Sequence, residues 1–250
     1  MIPFFRKIRK KMADDNRPLK YLRYAIGEVL LVVVGILIAL QINTWNENRK
    51  ENLQEVKILK QLKSDLISNL TEVTEIEIQV KKRLRYSDSV SLYFGERRKL
   101  NDSLVMYLVG IRNSGIFNSS NTAYKYIQSE GMNILSNDNL RTHLTIMYER
   151  HFRNIDVRSI GEENLQNNVL EPFMRKHFKP AVANIIDDIY VKPIVEPINI
   201  EALYENFEFQ SILLEHSSYL KIRILWLEEA LSELDKLIQE VESEIVLLES

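Results

Sequence analysis

The 250-residue chain contains no cysteine, so it offers neither disulfides nor thiol chemistry. Glycine and proline are scarce, seven and six residues, which disfavours a turn-rich, strand-rich fold and favours helix. No strand-like alternation of useful length occurs. The four histidines, His143, His151, His177 and His216, show no HxxxH or HExxH spacing and read as surface or structural residues. There is no GxSxG, no Walker loop, no GxGxxG and no Asp/His/Ser ordering. The acidic pairs Asp187-Asp188, Glu162-Glu163 and Glu228-Glu229 read as solvated surface. Tyr124, Tyr126, Tyr148, Tyr190, Tyr204 and Tyr219 read as helix-packing residues. On these grounds the chain is not expected to be an enzyme, and no cofactor or metal is expected.

Charge is missing from one place in particular. Between Glu28 and Glu47 there is none, and Val29–Leu40 reads VLLVVVGILIAL. At about 1.5 Å per residue, Tyr24–Trp45 covers roughly 33 Å as a helix, enough to cross a bilayer. Gly27 and Gly35 are tolerated there, and Trp45 is placed to anchor the span at the interface. Residues 1–23 carry eight Lys and Arg against Asp14 and Asp15, a net of +6, whereas residues 46–250 sum to -7. Basic residues resist translocation, so the N-terminus is expected in the cytoplasm and the larger part is expected to be exported. The apolar run ends in Gln41-Ile42-Asn43-Thr44-Trp45, with no small-x-small cleavage site, so it reads as an uncleaved signal anchor. The segment Pro3–Met12 has two readings: a short amphipathic helix on the inner leaflet, or an unstructured basic topology signal. Nucleic acid is not an expected partner for so small a patch.

Three divisions follow: 1–23 a cytoplasmic basic segment, 24–45 the transmembrane helix, 46–250 an exported helical domain, which the family resemblance described below would place in the periplasm. Asn16 and Pro18 read as a helix start. No proline follows until Pro172, so one helix is expected from about Pro18 to Phe94, stopped at Gly95. Leu59, Leu62, Leu66, Val73, Ile76 and Val80 keep a 3–4 spacing, interrupted by Asn69 and Arg83. Shorter helices are expected from the Asn101-Asp102-Ser103 cap to Arg112 and from Asn121-Thr122 to Gly131. A longer one starts after Ser136-Asn137-Asp138 and continues past Gly161 to Phe178, with a kink or restart at Pro172. Asn113-Ser114-Gly115 reads as a turn. Lys179–Asn199 reads as a loop with room for a short helix at Val182–Ile189. The final helix, starting near Leu203, carries Leu227, Leu231, Leu234, Ile238, Val241, Ile245 and Leu248 as a heptad seam of coiled-coil type. That seam can pair within the chain, antiparallel to residues 50–94, or between chains. The fold class is all-α: a transmembrane helix continuous with a stalk, and a helical bundle closed by the C-terminal heptad helix.

At about 100° per residue Glu28, Gly35 and Ala39 share one stripe of the span, and Gly35/Ala39 form a small-xxx-small step. An acid facing lipid is costly, so Glu28 reads as snorkelling, protonated or paired. Asp88-Ser89-Val90 and Asp102-Ser103-Leu104 resemble the acceptor pattern for O-linked glycans in exported proteins of Bacteroidota, which marks Ser89 and Ser103. Tyr24-Ala25-Ile26-Gly27-Glu28 followed by Gly35–Glu47, GILIALQINTWNE, resembles the signature of an uncharacterised family of single-pass inner-membrane proteins of Bacteroidota. The similarity extends loosely to Thr122-Ala123-Tyr124 and Leu140-Arg141, and Thr44 departs from the Asn many members carry. The resemblance implies a membrane anchor and a periplasmic helical domain, and no activity. The bilayer is thus one expected partner, with a second membrane or periplasmic protein, or self-association, as the other. Two functions are expected: an interaction or scaffold module bound to another envelope protein, or a periplasmic ligand-sensing bundle that signals through a membrane partner.

Overall fold

A leucine-rich stripe on one long helix needs an apolar cover, and the chain supplies it from its other end. The structure is a computed structural model that describes residues 18–112, 116–179, 185–186, 189–190 and 196–250. Helix α1 is Pro18–Gly95, as the absence of internal proline predicts. The chain divides between Glu55 and Val56. In the N-terminal unit the described apolar side chains from Val29 to Ile42 are exposed, Leu31 at 72% and Ile42 at 61%. Asn16 and the Pro3–Met12 segment lie outside the described residues.

The second unit is a helical domain. Helices α2 (Asp102–Gly110) and α3 (Thr122–Glu130) precede α4 (Asp138–Ile146). Then come a π-turn at Met147–Phe152, α5 (Arg153–Leu165), a second π-turn at Gln166–Leu170, and α6 (Glu171–His177). Pro172 sits in the first turn of α6, directly after the second π-turn. A wider turn there absorbs the missing N–H, so the expected break is a bulge within a continuing helix. The short helix expected at Val182–Ile189 is overturned. Ile185–Ile186 instead pairs antiparallel with Ile189–Tyr190, and Phe178–Lys179 pairs with Glu196–Pro197. The final helix is also shorter than expected. A separate α7 (Ile200–Tyr204) comes first, and α8 is Phe207–Glu249, capped by Asn206 Oδ1 accepting from Phe209 N at 2.8 Å. The turn expected at Asn113-Ser114-Gly115 lies outside the described residues.

Local signals explain the short helices. Asn101 accepts from Leu104 N at 2.9 Å and caps α2; Asn137 accepts from Asn139 N and Leu140 N and caps α4. The α3 cap departs from expectation, because Asn121 makes no side-chain cap bond. Asp65 on α1 takes its place, its Oδ2 accepting from Ala123 N at 2.8 Å. Four residues on, Asn69 pairs with the Ser120 backbone in both directions, donating to O at 2.8 Å and accepting from N at 2.7 Å. Gly110 is required at the end of α2, since a Cβ there would come 2.2 Å from the Tyr86 ring.

Helix α8 runs antiparallel to α1. The pairs Lys60–Glu249 (2.6 Å), Lys63–Glu242 (2.9 Å) and Lys81–Glu228 (2.7 Å) climb one helix while descending the other. The α8 seam is displaced from the expected heptad. Leu227, Leu234 and Val241 are fully buried, but Ala230 and Leu237 stand between them, with Leu231 and Ile238 only partly buried. The buried stripe is therefore wider than a two-stranded seam, as for a helix packed in a bundle with several neighbours. Lys60→Cys with Glu249→Cys, in a chain otherwise free of cysteine, is expected to cross-link within one chain. Non-reducing gels showing cross-linked dimers alone would contradict the intramolecular pairing.

Candidate functional site

The domain holds two apolar clusters with a polar layer between them. One cluster contains α1 residues Leu59–Val80, Ile155 of α5 and Leu220–Ile245 of α8. The other contains Val90 and Phe94 of α1, Leu170 and Phe173, and Phe209, Ile212 and Leu213 of α8. The second is rich in rings: Phe209 meets Phe94 edge-on at 4.9 Å and stacks on Phe173 at 5.0 Å.

Between the two clusters each helix places buried polar residues: Arg83 and Ser87 on α1, Ser159 and Glu162 on α5, His216 and Ser217 on α8. Arg223 joins them. Glu162, 2% exposed, takes one guanidinium on each carboxylate oxygen, from Arg83 and from Arg223. Beside it Ser217 Oγ donates to Ser87 Oγ at 2.9 Å, and His216 Nδ1 lies 3.2 Å from the same Ser87 oxygen. Burial pushes the Arg83 guanidinium below its ordinary value, opposed by the Glu162 carboxylate. Burial also pushes His216 down to about 4, so its imidazole is neutral at physiological pH. The reading of Glu162-Glu163 as solvated surface is therefore corrected: Glu163 is exposed, but Glu162 is the centre of a buried charge cluster. Arg83 had shown itself in the sequence only as a flaw in an apolar seam.

A second polar feature opens to solvent. A cleft of about 460 Å³ separates the α4–α5 side of the domain from α8, lined by His143, His151, Glu229, Glu233, Lys236 and Glu240 among others. His143 Nδ1 lies 2.7 Å from Glu240 Oε2. Lys236 Nζ is 2.6 Å from Glu233, and Arg150 is 3.3 Å from Glu229. His151 comes from the π-turn and is 4% exposed, and burial holds it below the ordinary imidazole range. Nearby, Tyr124 stacks on Tyr148 at 4.2 Å, and burial raises both phenols, that of Tyr124 to about 12.

Of the residues singled out in the sequence, Glu28, Gly35, Ala39 and Trp45 all lie on the N-terminal part of α1. Glu28 is half-buried, while Gly35 and Ala39 lie exposed on α1. Trp45 is 62% exposed with the Arg49 guanidinium 5.9 Å from its ring. Ser89 is half-buried in α1 with its Oγ donating to Arg85 O at 2.7 Å, whereas Ser103 is exposed in the first turn of α2. Among the described residues, no group of three or more His, Asp or Glu side chains is placed so that it could hold a metal ion.

Two measurements test the polar layer. Glu162→Ala leaves two guanidiniums without their carboxylate and is expected to cost about 3–5 kcal/mol in denaturant unfolding. Replacing all three charges together (Arg83→Met, Glu162→Leu, Arg223→Met) is expected to recover most of that loss, since the carboxylate and both guanidiniums are removed together. His216, ordinarily near 6.5, is lowered in the fold, so its contribution is complete above about pH 6.5 and lost as pH falls towards 4. That amounts to about 3 kcal/mol at most. His216→Gln should show a shallower loss of stability than the wild type over this window. Parallel curves would remove His216 as the cause.

No curated protein matches the chain, and no solved structure does. A family model does match, over residues 28–171, more than half of the chain. The match takes in the apolar part of α1 with Gly35–Glu47, and Thr122-Ala123-Tyr124 and Leu140-Arg141 in the domain, and it ends at Glu171, before α8. On that match the chain belongs to the Family of unknown function (DUF6090).

Proposed function

We propose that this protein is a single-pass inner-membrane protein whose helical domain, on the periplasmic side, docks another envelope protein. The observation that carries the reading is the row of apolar side chains on α1 from Val29 to Ile42, all exposed in the chain itself. Water is a poor solvent for such a surface, and a helix this long and apolar is suited to a bilayer. The net charge of +6 before the span supports a cytoplasmic N-terminus. The small step Gly35/Ala39 beside Glu28 supports a close-packed helix partner within the membrane, since without side-chain bulk another backbone can approach.

The test is made on the full chain in its own membrane. The chain is expected to stay in the pellet after alkaline carbonate washing, and a periplasm-only reporter fused after Ser250 is expected to be active. In mild detergent it should co-purify with a stoichiometric protein partner. Gly35→Ile should reduce that complex several-fold while leaving insertion and protein level intact. An unchanged complex would reduce the span to an anchor, and a retained small molecule without a protein partner would favour ligand sensing.

A further inference from the structure

The outward face of α8 changes character halfway along the helix. Over the first half it presents Phe207, Ser211, Leu214, Ser218, Ile222 and Leu225, with Phe207 77%, Leu214 70% and Leu225 65% exposed. Over the second half the same face presents Glu229, Ser232, Lys236, Gln239 and Ser243. One helix thus carries its own comparison: the polar half is suited to water and the apolar half is not. The six positions of the first half recur every eleven residues, Phe207 with Ser218, Ser211 with Ile222 and Leu214 with Leu225. That period stays on one side of a nearly straight helix. Ser218 Oγ donates to Leu214 O at 2.8 Å, so covering this hydroxyl strands no donor. Leu92 of α1, 49% exposed, widens the patch. It is one turn beyond Asp88, whose Oδ1 lies 3.2 Å from Ser217 Oγ, which brings it level with Leu214. Together these side chains expose roughly 500 Å2, the size of the largest apolar patch on a typical monomer.

The charges beside the stripe bear on what covers it. At about 100° per residue, Glu208 and Glu215 fall along one edge and Lys221 along the other. Among the described residues none of these three has an ion-pair partner, whereas Glu228, further along the basic edge, is held by Lys81 at 2.7 Å. A surface that pairs with its own copy has to be complementary to itself. In a parallel pair of α8 helices the two-fold axis runs along them, and the acidic edge of one copy faces the basic edge of the other. An antiparallel pair sets acid against acid and base against base. The stripe between the edges holds no charge, so pairing buries none.

We propose that the outward face of α8 from Phe207 to Leu225 is a contact between two copies of this chain, paired with their α8 helices parallel. A standard interface takes about 800 Å2 from each partner. The apolar patch supplies more than half of that, and the two serines and the stems of Lys221, Glu215 and Gln210 lie in the same footprint. The inference rests on the proposed bilayer anchor in one respect. Confinement to a membrane raises the effective concentration of one copy beside another, so a contact of this size suffices.

The experiment uses the full-length chain, which has no cysteine of its own, in membranes treated with a mild oxidant. Ser218→Cys is expected to give a disulfide-linked dimer on non-reducing gels. Val157→Cys, at a position 54% exposed on α5, is expected to give none. Leu214→Glu/Leu225→Glu changes two exposed positions and should keep the wild-type circular dichroism. It should weaken the dimer tenfold or more in detergent, read by light scattering. Insertion is checked separately by the carbonate wash, so an inserted chain that stays monomeric counts against this contact and not against the anchor. Ser218→Cys linking no better than Val157→Cys, a dimer unchanged by the two glutamates, or capture of a different protein in place of a second copy would each overturn the proposal. So would Phe207→Cys chains linking to Leu225→Cys chains rather than to their like.

Discussion

Glu162 is one carboxylate shared by two guanidiniums from different helices, and the arrangement of the domain depends on that sharing. Leucine stripes repeated every seven residues are nearly indifferent to sliding by seven, because each position then meets another leucine. The charged layer is not indifferent. If α8 slid by one heptad against α1, Arg223 would move to the place of Ala230 in the apolar cluster or to that of His216 beside Ser87, and in either case Glu162 would lose one of its two guanidiniums while buried. The apolar clusters above and below supply most of the burial; the layer between them selects one register out of several.

That division explains what the sequence showed and what it hid. The long first helix was legible because nothing in it can break a helix, and the caps at Asn101 and Asn137 were legible because such caps are local. The α1 stripe was read as an imperfect heptad. Both imperfections turned out to be contacts: Asn69 holds the Ser120 backbone, and Arg83 holds Glu162. A polar residue at a seam position looks like a defect until its partner is known, and both partners lie more than forty residues away. The α8 seam was shifted for a related reason. Leu231 and Ile238 outrank Ala230 by hydrophobicity, yet Ala230 is the one fully buried, and hydrophobicity alone does not tell which face of a helix in a bundle is covered.

The candidate sites were less legible still. Glu162 stands next to Glu163 in the sequence, and nothing local separates the buried one from the solvated one. His151 reads as a lone histidine, with Glu229 and Glu233 of the same cleft 78 and 82 residues further on. The π-turns that shape both places alter the helix phase by one residue, too small a change to read against an irregular apolar pattern.

Asp65 gives the domain an order of events. Helix α3 is nine residues long, too short to persist alone in water, and the bond that closes its first turn comes from a residue 58 positions earlier. It therefore becomes helical as it lands on α1, not before. Without the Asp65 carboxylate the first turn of α3 has no cap of its own, so a side chain on the long helix sets whether the short one is closed at its start.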